Sequence, residues 1–173
     1  MKTKKITFLG LMVGYSLILY ILETYIPNPL IVFFPGAKLG LTNIITLISL
    51  LILGLKETFI IVTVSDILSS IFTGPMSYLL FSIGGAYLSL ILMYLATKIK
   101  GFSTIGVSII GAIGHNIGQL LVASVIVENL LVVTYLPFML VTSLVTGFFV
   151  GLVSKFCYPK MVKMGGSLID INR

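Results

Sequence analysis

The chain has 173 residues, of which 58% are hydrophobic and only 9% are charged, and its formal net charge is +6. Soluble domains carry roughly 25% charged residues, so this composition excludes a water-soluble globular fold. The positive charge does not indicate a nucleic-acid partner, because ten of the eleven basic residues fall in the loops and tails that are assigned below to the cytoplasm. Cys157 is the only cysteine, so the chain cannot form an internal disulfide.

The first apolar run extends from Ile6 to Tyr25. It is too long for the apolar core of a signal peptide, and no small-residue cleavage pattern follows it, so a retained transmembrane helix is predicted. Gly10 and Gly14 form a small-xxx-small pair that lets another helix approach closely. That helix could belong to the same chain or to a separate protein. Glu23 is expected near the outer end of the helix, within reach of water.

The segment 27–38 contains three prolines, which prevent a regular helix, and also five consecutive apolar residues. Such an outer loop is expected either to lie in the membrane interface or to cover a cavity between the helices as a lid. We favour the lid, with Phe33 and Phe34 facing a ligand. Lys38 is expected either to reach the outer lipid headgroups or to bind an anionic group of the ligand.

Five further helices are predicted, at Leu39–Leu55, Thr58–Ile71, Met76–Thr97, about 102–127 and Leu130–Val153. With both termini in the cytoplasm, only Lys38 among the basic residues lies outside, which satisfies the positive-inside rule. We therefore predict an all-α membrane protein with six transmembrane helices and cytoplasmic termini. Residues 1–173 form a single domain, with short cytoplasmic tails at 1–5 and 155–173.

Polar side chains inside the predicted spans are costly in a bilayer, so they need partners or a water-filled cavity. The segment Gly111–Gln119, which reads GAIGHNIGQ, contains the only histidine, His115, together with Asn116 and Gln119. Helical periodicity places His115 and Gln119 on one stripe and the glycines of this segment on the adjoining stripe. One outward-facing pocket is predicted, lined by these three polar residues and by polar residues of the other spans, namely Asn43, Asp66, Tyr78 and Ser82.

Each of these polar residues also has a simpler structural interpretation. Asp66 could pair with His115 and hold two helices in register, or His115 could donate to a backbone carbonyl. Asn116 and Gln119 could join helices by hydrogen bonds. Asp66 is also the one candidate for proton coupling if the protein is a secondary carrier.

No enzymatic activity is expected from this sequence. Paired carboxylates for acid–base catalysis and the aspartate-rich motifs of a prenyl transferase, which bind Mg²⁺, are both missing. One histidine and the remote Cys157 do not make a zinc site, so no metal site is predicted. The sequence has no GxxxxGK[ST] loop for ATP, so active transport would need another subunit or an ion gradient.

Two segments, PGAKLGLTN at Pro35–Asn43 and GAIGHNIGQ at Gly111–Gln119, resemble the Gx transporter family, whose members are often labelled heptaprenyl diphosphate synthase component I. That family is similar to the S components of energy-coupling factor (ECF) transporters, which are six-helix proteins of the bacterial plasma membrane. The resemblance implies that residues 27–38 are the substrate lid. It also implies that Gly10 and Gly14 dock onto a T component driven by two ATPase subunits.

The resemblance further implies a vitamin-like substrate, and a flavin such as riboflavin, FMN or FAD is our preferred choice. An isoalloxazine ring needs apolar walls and amides. The predicted site supplies both through Phe33, Phe34, Tyr78, Asn116 and Gln119. Lys38 would bind a phosphate of FMN or FAD. The alternatives are a stand-alone secondary carrier that uses Asp66 and a membrane partner of a prenyl diphosphate synthase.

Overall fold

The structure, a computed structural model, describes residues 2–27, 39–73 and 77–168. These residues form six α-helices and one short 3₁₀ helix, and no strand occurs among them. The α-helices are α1 (Lys2–Thr24), α2 (Asn43–Leu53), α3 (Leu55–Thr73), α4 (Ser77–Thr97), α5 (Thr104–Ile126) and α6 (Leu136–Leu168). The 3₁₀ helix, Leu130–Tyr135, precedes α6. The prediction of an all-α protein is confirmed.

Four of the described helical segments are long and apolar enough to cross a bilayer: Thr3–Thr24, Leu79–Thr97, Thr104–Ile126 and Leu130–Gly165. The chain is therefore a multi-pass membrane protein. Helix α2 is apolar but has only 11 residues, and at about 1.5 Å per residue it spans roughly half of a 30 Å hydrocarbon core. Helix α3 has 19 residues and carries three charged side chains. The topology with six full spans stays a prediction.

Several helix boundaries differ from those predicted. Helices α2 and α3 are separated at Gly54, whose φ of +86° suits a residue without a side chain, so Lys56 and Glu57 belong to the first turn of α3. The predicted last helix ended at Val153, but α6 continues through Pro159 to Leu168. Met161 and Met164 of this extension pack against the apolar cluster formed by the other helices, which explains why the helix continues into the predicted tail.

Glycines allow α4, α5 and α6 to pack closely. A Cβ atom added at Gly118 of α5 would lie 2.9 Å from Gly85 Cα of α4, and one at Gly114 would lie 2.7 Å from Leu92 Cδ1. A Cβ at Gly147 of α6 would lie 2.7 Å from Ile109 Cα of α5. The expectation that the glycine stripe of α5 lets another helix come close is confirmed, and the neighbouring helix is α4.

The other glycine pair, Gly10 and Gly14 of α1, faces open space. A Cβ atom at either position would meet nothing within 4 Å. Ile6 and Ile18, one turn before and after the pair, are 67% and 54% exposed. Within the described part of the chain, this glycine pair therefore does not serve to pack α1 against another helix.

The basic ends of several helices meet at one end of the bundle. Lys5 near the start of α1 forms an ion pair with Glu57 at the start of α3. Met161 and Met164 of α6 pack against the cluster that contains Phe8 of α1. The positive-inside rule predicts that this end faces the cytoplasm.

The two glycine environments predict opposite responses to the same substitution. Gly118→Ala forces a methyl group into the backbone of α4 and should lower the free energy of unfolding by about 1–3 kcal/mol. Gly14→Ala meets no neighbour and should leave stability unchanged or raise it by up to about 1 kcal/mol, because alanine favours helix. Thermal unfolding of both variants in the same detergent checks this, and equal loss in the two variants would contradict the packing described.

Candidate functional site

One stripe of α4 connects buried polar groups from three other helices. Ser82, Gly85 and Ser89 recur at the spacing that places them on one helix face, and each contacts a different helix. The polar side chains gathered there are at most 7% exposed. We refer to them as the polar cluster: Asn43, Asp66, Ser82, Ser89, His115 and Gln119. The described contacts thus bring together five of the predicted site residues, with Ser89 in addition.

Ser82 joins the polar cluster to α3. Its hydroxyl donates to Asp66 Oδ1 at a distance of 3.0 Å, and both side chains are buried. Asp66 is thus hydrogen-bonded across the α3–α4 contact. The alternative in which Asp66 fixes two helices in register matches this geometry, with Ser82 as one hydrogen-bond partner. A pairing of Asp66 with His115 stays a prediction.

Gly85 leaves room for the two polar residues of α5. A Cβ atom at position 85 would lie 2.7 Å from Gln119 Cγ and 3.2 Å from His115 Cε1. Gln119 Nε2 and His115 Nε2 lie 3.1 Å apart, which confirms that these residues share one stripe. Gln119 is fully buried, and its Oε1 atom has no hydrogen-bond partner within the described residues.

An unpaired buried acceptor of this kind costs roughly 1–3 kcal/mol. A molecule that donated a hydrogen bond to Gln119 Oε1 would recover this free energy. Gln119 Oε1 therefore lacks a hydrogen-bond donor, and an N–H or O–H group placed beside the His115 ring would supply one.

Ser89 and the first turn of α2 complete the polar cluster. Ser89 Oγ lies 3.5 Å from Asn43 Oδ1, a long hydrogen bond between two buried side chains. Gly40, just before α2, has a φ of +84°. A Cβ atom there would lie 3.7 Å from His115 Cδ2. The chain therefore enters α2 directly beside the histidine ring.

Glu23 holds the residues that lead into α2. The expectation that Glu23 reaches water is wrong. Glu23 as a residue is 8% exposed, and its carboxylate accepts hydrogen bonds from the backbone N–H groups of Gly40, at 2.8 Å, and Leu41, at 3.0 Å. These two N–H groups lie just before Thr42, the N-cap residue of α2, where the helix dipole favours a negative charge. The sequence signal was an acidic residue at the end of an apolar helix.

Asn116 faces a different neighbour from that of His115. Its Nδ2 donates to Ser143 Oγ at 2.7 Å and to the Met139 carbonyl at 2.9 Å, both on α6. Ser143 Oγ in turn lies 3.3 Å from the Ala112 carbonyl. These contacts match the interpretation that Asn116 joins helices. Its predicted contact with a ligand stays a prediction.

Part of the predicted site lies outside the described residues. This applies to the proposed lid and to Phe33, Phe34 and Lys38 within it. Tyr78 belongs to α4, but the structure gives only its backbone position. Two surface grooves formed by described residues have no residue of the polar cluster in their lining. A cavity next to the cluster also stays a prediction.

The role of Glu23 predicts a loss of stability when its charge is removed. Glu23→Gln keeps one acceptor oxygen but turns an N–H donor towards a backbone N–H, so the free energy of unfolding should fall by about 1–3 kcal/mol. Glu128→Gln is the matched control, because Glu128 is exposed in the turn after α5. Thermal unfolding in detergent compares the two variants, and an unchanged Glu23→Gln protein would contradict the assignment.

A family comparison agrees with the resemblance seen in the two sequence segments. The model of the family described as heptaprenyl diphosphate synthase component I matches residues 12–157, which include all of α2 to α5 and much of α1 and α6. No curated protein and no solved structure matches the chain. Because the match covers most of the sequence, the chain belongs to the heptaprenyl diphosphate synthase component I family.

Proposed function

We propose that the protein is the substrate-binding S component of an ECF-type transporter and that it binds a small vitamin-like molecule, with a flavin as the preferred class. The observation that carries this proposal is the polar cluster, in which four helices contribute buried polar side chains along one stripe of α4. Polar groups at membrane depth are rare because they are expensive, and they usually mark a substrate or ion site.

The chemistry of the polar cluster favours a heterocycle over a hydrocarbon. The polar edge of an oxidised flavin places one N–H donor between two carbonyl acceptors, so it can meet both Gln119 Oε1 and the imidazole of His115. An isoprenoid would leave such groups unpaired, at a cost of roughly 1–3 kcal/mol each. In this proposal Phe33, Phe34 and Tyr78 supply the apolar walls under the first outer loop, and Lys38 binds a phosphate.

The open face of α1 supports docking to an energising module. Gly10 and Gly14 lie between exposed isoleucines and face open space, and small residues of this kind allow close helix–helix contact in a membrane. We propose that a T component binds there and that two ATPase subunits supply the energy. The protein itself has no catalytic role in this proposal, and it resides in the bacterial plasma membrane.

The family description favours a second candidate function. It names a component of heptaprenyl diphosphate synthase, so the chain could be a membrane partner that anchors a soluble synthase subunit. In that case the basic end of the bundle would be the contact surface, and a buried ligand site would not be required.

A secondary carrier with Asp66 as its coupling group is a further alternative. Transport that is driven by an ion gradient alone and abolished by Asp66→Asn would favour it.

Flavin binding by the purified protein tests the substrate proposal. We expect riboflavin, FMN or FAD to bind. Gln119→Leu should raise the dissociation constant by about tenfold or more, because a buried hydrogen bond is lost. Ser124→Ala is the control on the same helix, since the Ser124 hydroxyl donates to the Leu121 carbonyl of its own helix. A colourless protein that binds none of the three flavins would rule out this substrate class.

Co-purification tests the docking proposal separately. Gly10→Leu and Gly14→Leu should abolish recovery of the T component and ATPases while leaving flavin affinity unchanged. Val125→Leu, on an exposed position of α5, should leave recovery of those subunits intact. Recovery of a soluble prenyl synthase in place of ATPases would support the membrane-partner function instead.

A further inference from the structure

Two apolar grooves occur on the described surface of the bundle. The inner groove lies between α3 and α4, has a volume of about 410 Å³, and is lined by Leu55, Lys56, Phe59, Tyr87, Leu90 and Ile91. The outer groove lies between α4 and α5 near Ile83 and Val125, and has a volume of about 470 Å³. The two are similar in size, but only the inner groove has a charged residue in its lining.

Specific contacts fix the wall of the inner groove. The Tyr87 hydroxyl and Thr63 Oγ1 are hydrogen-bonded at 3.0 Å, which joins α4 to α3. The Phe59 and Tyr87 rings lie with their centroids 4.8 Å apart. Leu90 is 1% exposed and forms the floor, whereas Ile91 is 50% exposed at the rim. These contacts between α3 and α4 therefore define the wall of the groove.

Lys56 supplies a positive charge at the cytoplasmic end of this groove. The neighbouring Glu57 carboxylate forms an ion pair with Lys5. Among the described side chains, no carboxylate lies within ion-pair distance of Lys56. Lys98, further along α4, lies 4.9 Å from the centroid of the Tyr94 ring. Lys56 also interacts electrostatically with Glu57, but the two lysines outnumber this one carboxylate, so a net positive charge remains where the apolar groove meets the inner membrane surface.

We propose that the inner groove binds one acyl chain of an anionic phospholipid of the cytoplasmic leaflet, with the lipid phosphate at Lys56. At roughly 30 Å³ for each water-sized group, its volume accepts about a dozen methylene-sized groups, which is most of one acyl chain. The outer groove offers similar apolar contact without a charge, so it should not discriminate between headgroups. This proposal does not depend on the transport function.

Lipid exchange followed by native mass spectrometry tests the assignment. The protein is purified in a mild detergent and given equal amounts of phosphatidylglycerol and phosphatidylcholine with identical acyl chains. Phosphatidylcholine carries the same phosphate but neutralises it with its choline, so one lysine should enrich the net anionic phosphatidylglycerol by about fivefold. Lys56→Gln should abolish this enrichment, whereas Lys160→Gln, at an exposed position of α6, should preserve it.

Groove-filling variants separate the contribution of the acyl chain from that of the headgroup. Ile91→Phe should lower retention of both lipids, and Ile83→Phe in the outer groove should leave the enrichment unchanged. Equal retention of the two lipids by the wild type, or an enrichment that survives Lys56→Gln, would overturn the proposal. Displacement of bound phosphatidylglycerol by an equal concentration of farnesyl diphosphate would also overturn it, because the groove would then be a prenyl diphosphate site.

Discussion

The stripe of α4 formed by Ser82, Gly85 and Ser89 is the constraint on which the rest of the site depends. Each position meets a different helix, through a hydrogen bond to Asp66, a close approach to Gln119 and His115, and a long hydrogen bond to Asn43. A side chain at position 85 would occupy the space that Gln119 Cγ now fills. The small and polar character of this stripe therefore decides which side chains can meet in the interior.

Such a stripe is effective in a membrane because apolar burial alone does not hold helices together there. Lipid tails solvate leucine and isoleucine as well as another helix does, so association relies on close packing and on hydrogen bonds between helices. Here the glycines of α5 bring its backbone against α4, and the serines of α4 then reach across to α3 and α2. The buried carboxylate of Glu23 adds a third link, from the end of α1 to the start of α2.

Much of this arrangement follows from the sequence, but the choice of partners does not. Periodicity identifies the helices and the stripe shared by His115 and Gln119, because 3.6 residues per turn is a property of the backbone. It does not reveal which helix lies opposite each stripe. Asn116 is adjacent to His115 in sequence, yet it turns to α6 and bonds Ser143.

The same limit explains the error at Glu23. Its position at the end of an apolar helix suggested exposure to water, since a carboxylate is costly to bury. The N–H groups of Gly40 and Leu41 can donate to the Glu23 carboxylate only because the end of α1 lies beside the start of α2. The extension of α6 beyond Val153 depends likewise on apolar contacts with the cluster formed by α1, α2 and α3, which the local sequence does not contain.

The single histidine permits a direct test of the central claim that the polar cluster is a ligand site. In protein labelled with ¹⁵N-histidine, His115 gives the only imidazole signals, because no other histidine exists in the chain. We predict that saturating riboflavin, FMN or FAD shifts these ring-nitrogen resonances and that Gln119→Leu suppresses the shift at the same ligand concentration. Unchanged His115 signals in a sample that binds flavin would show that the ligand lies elsewhere and would contradict this account.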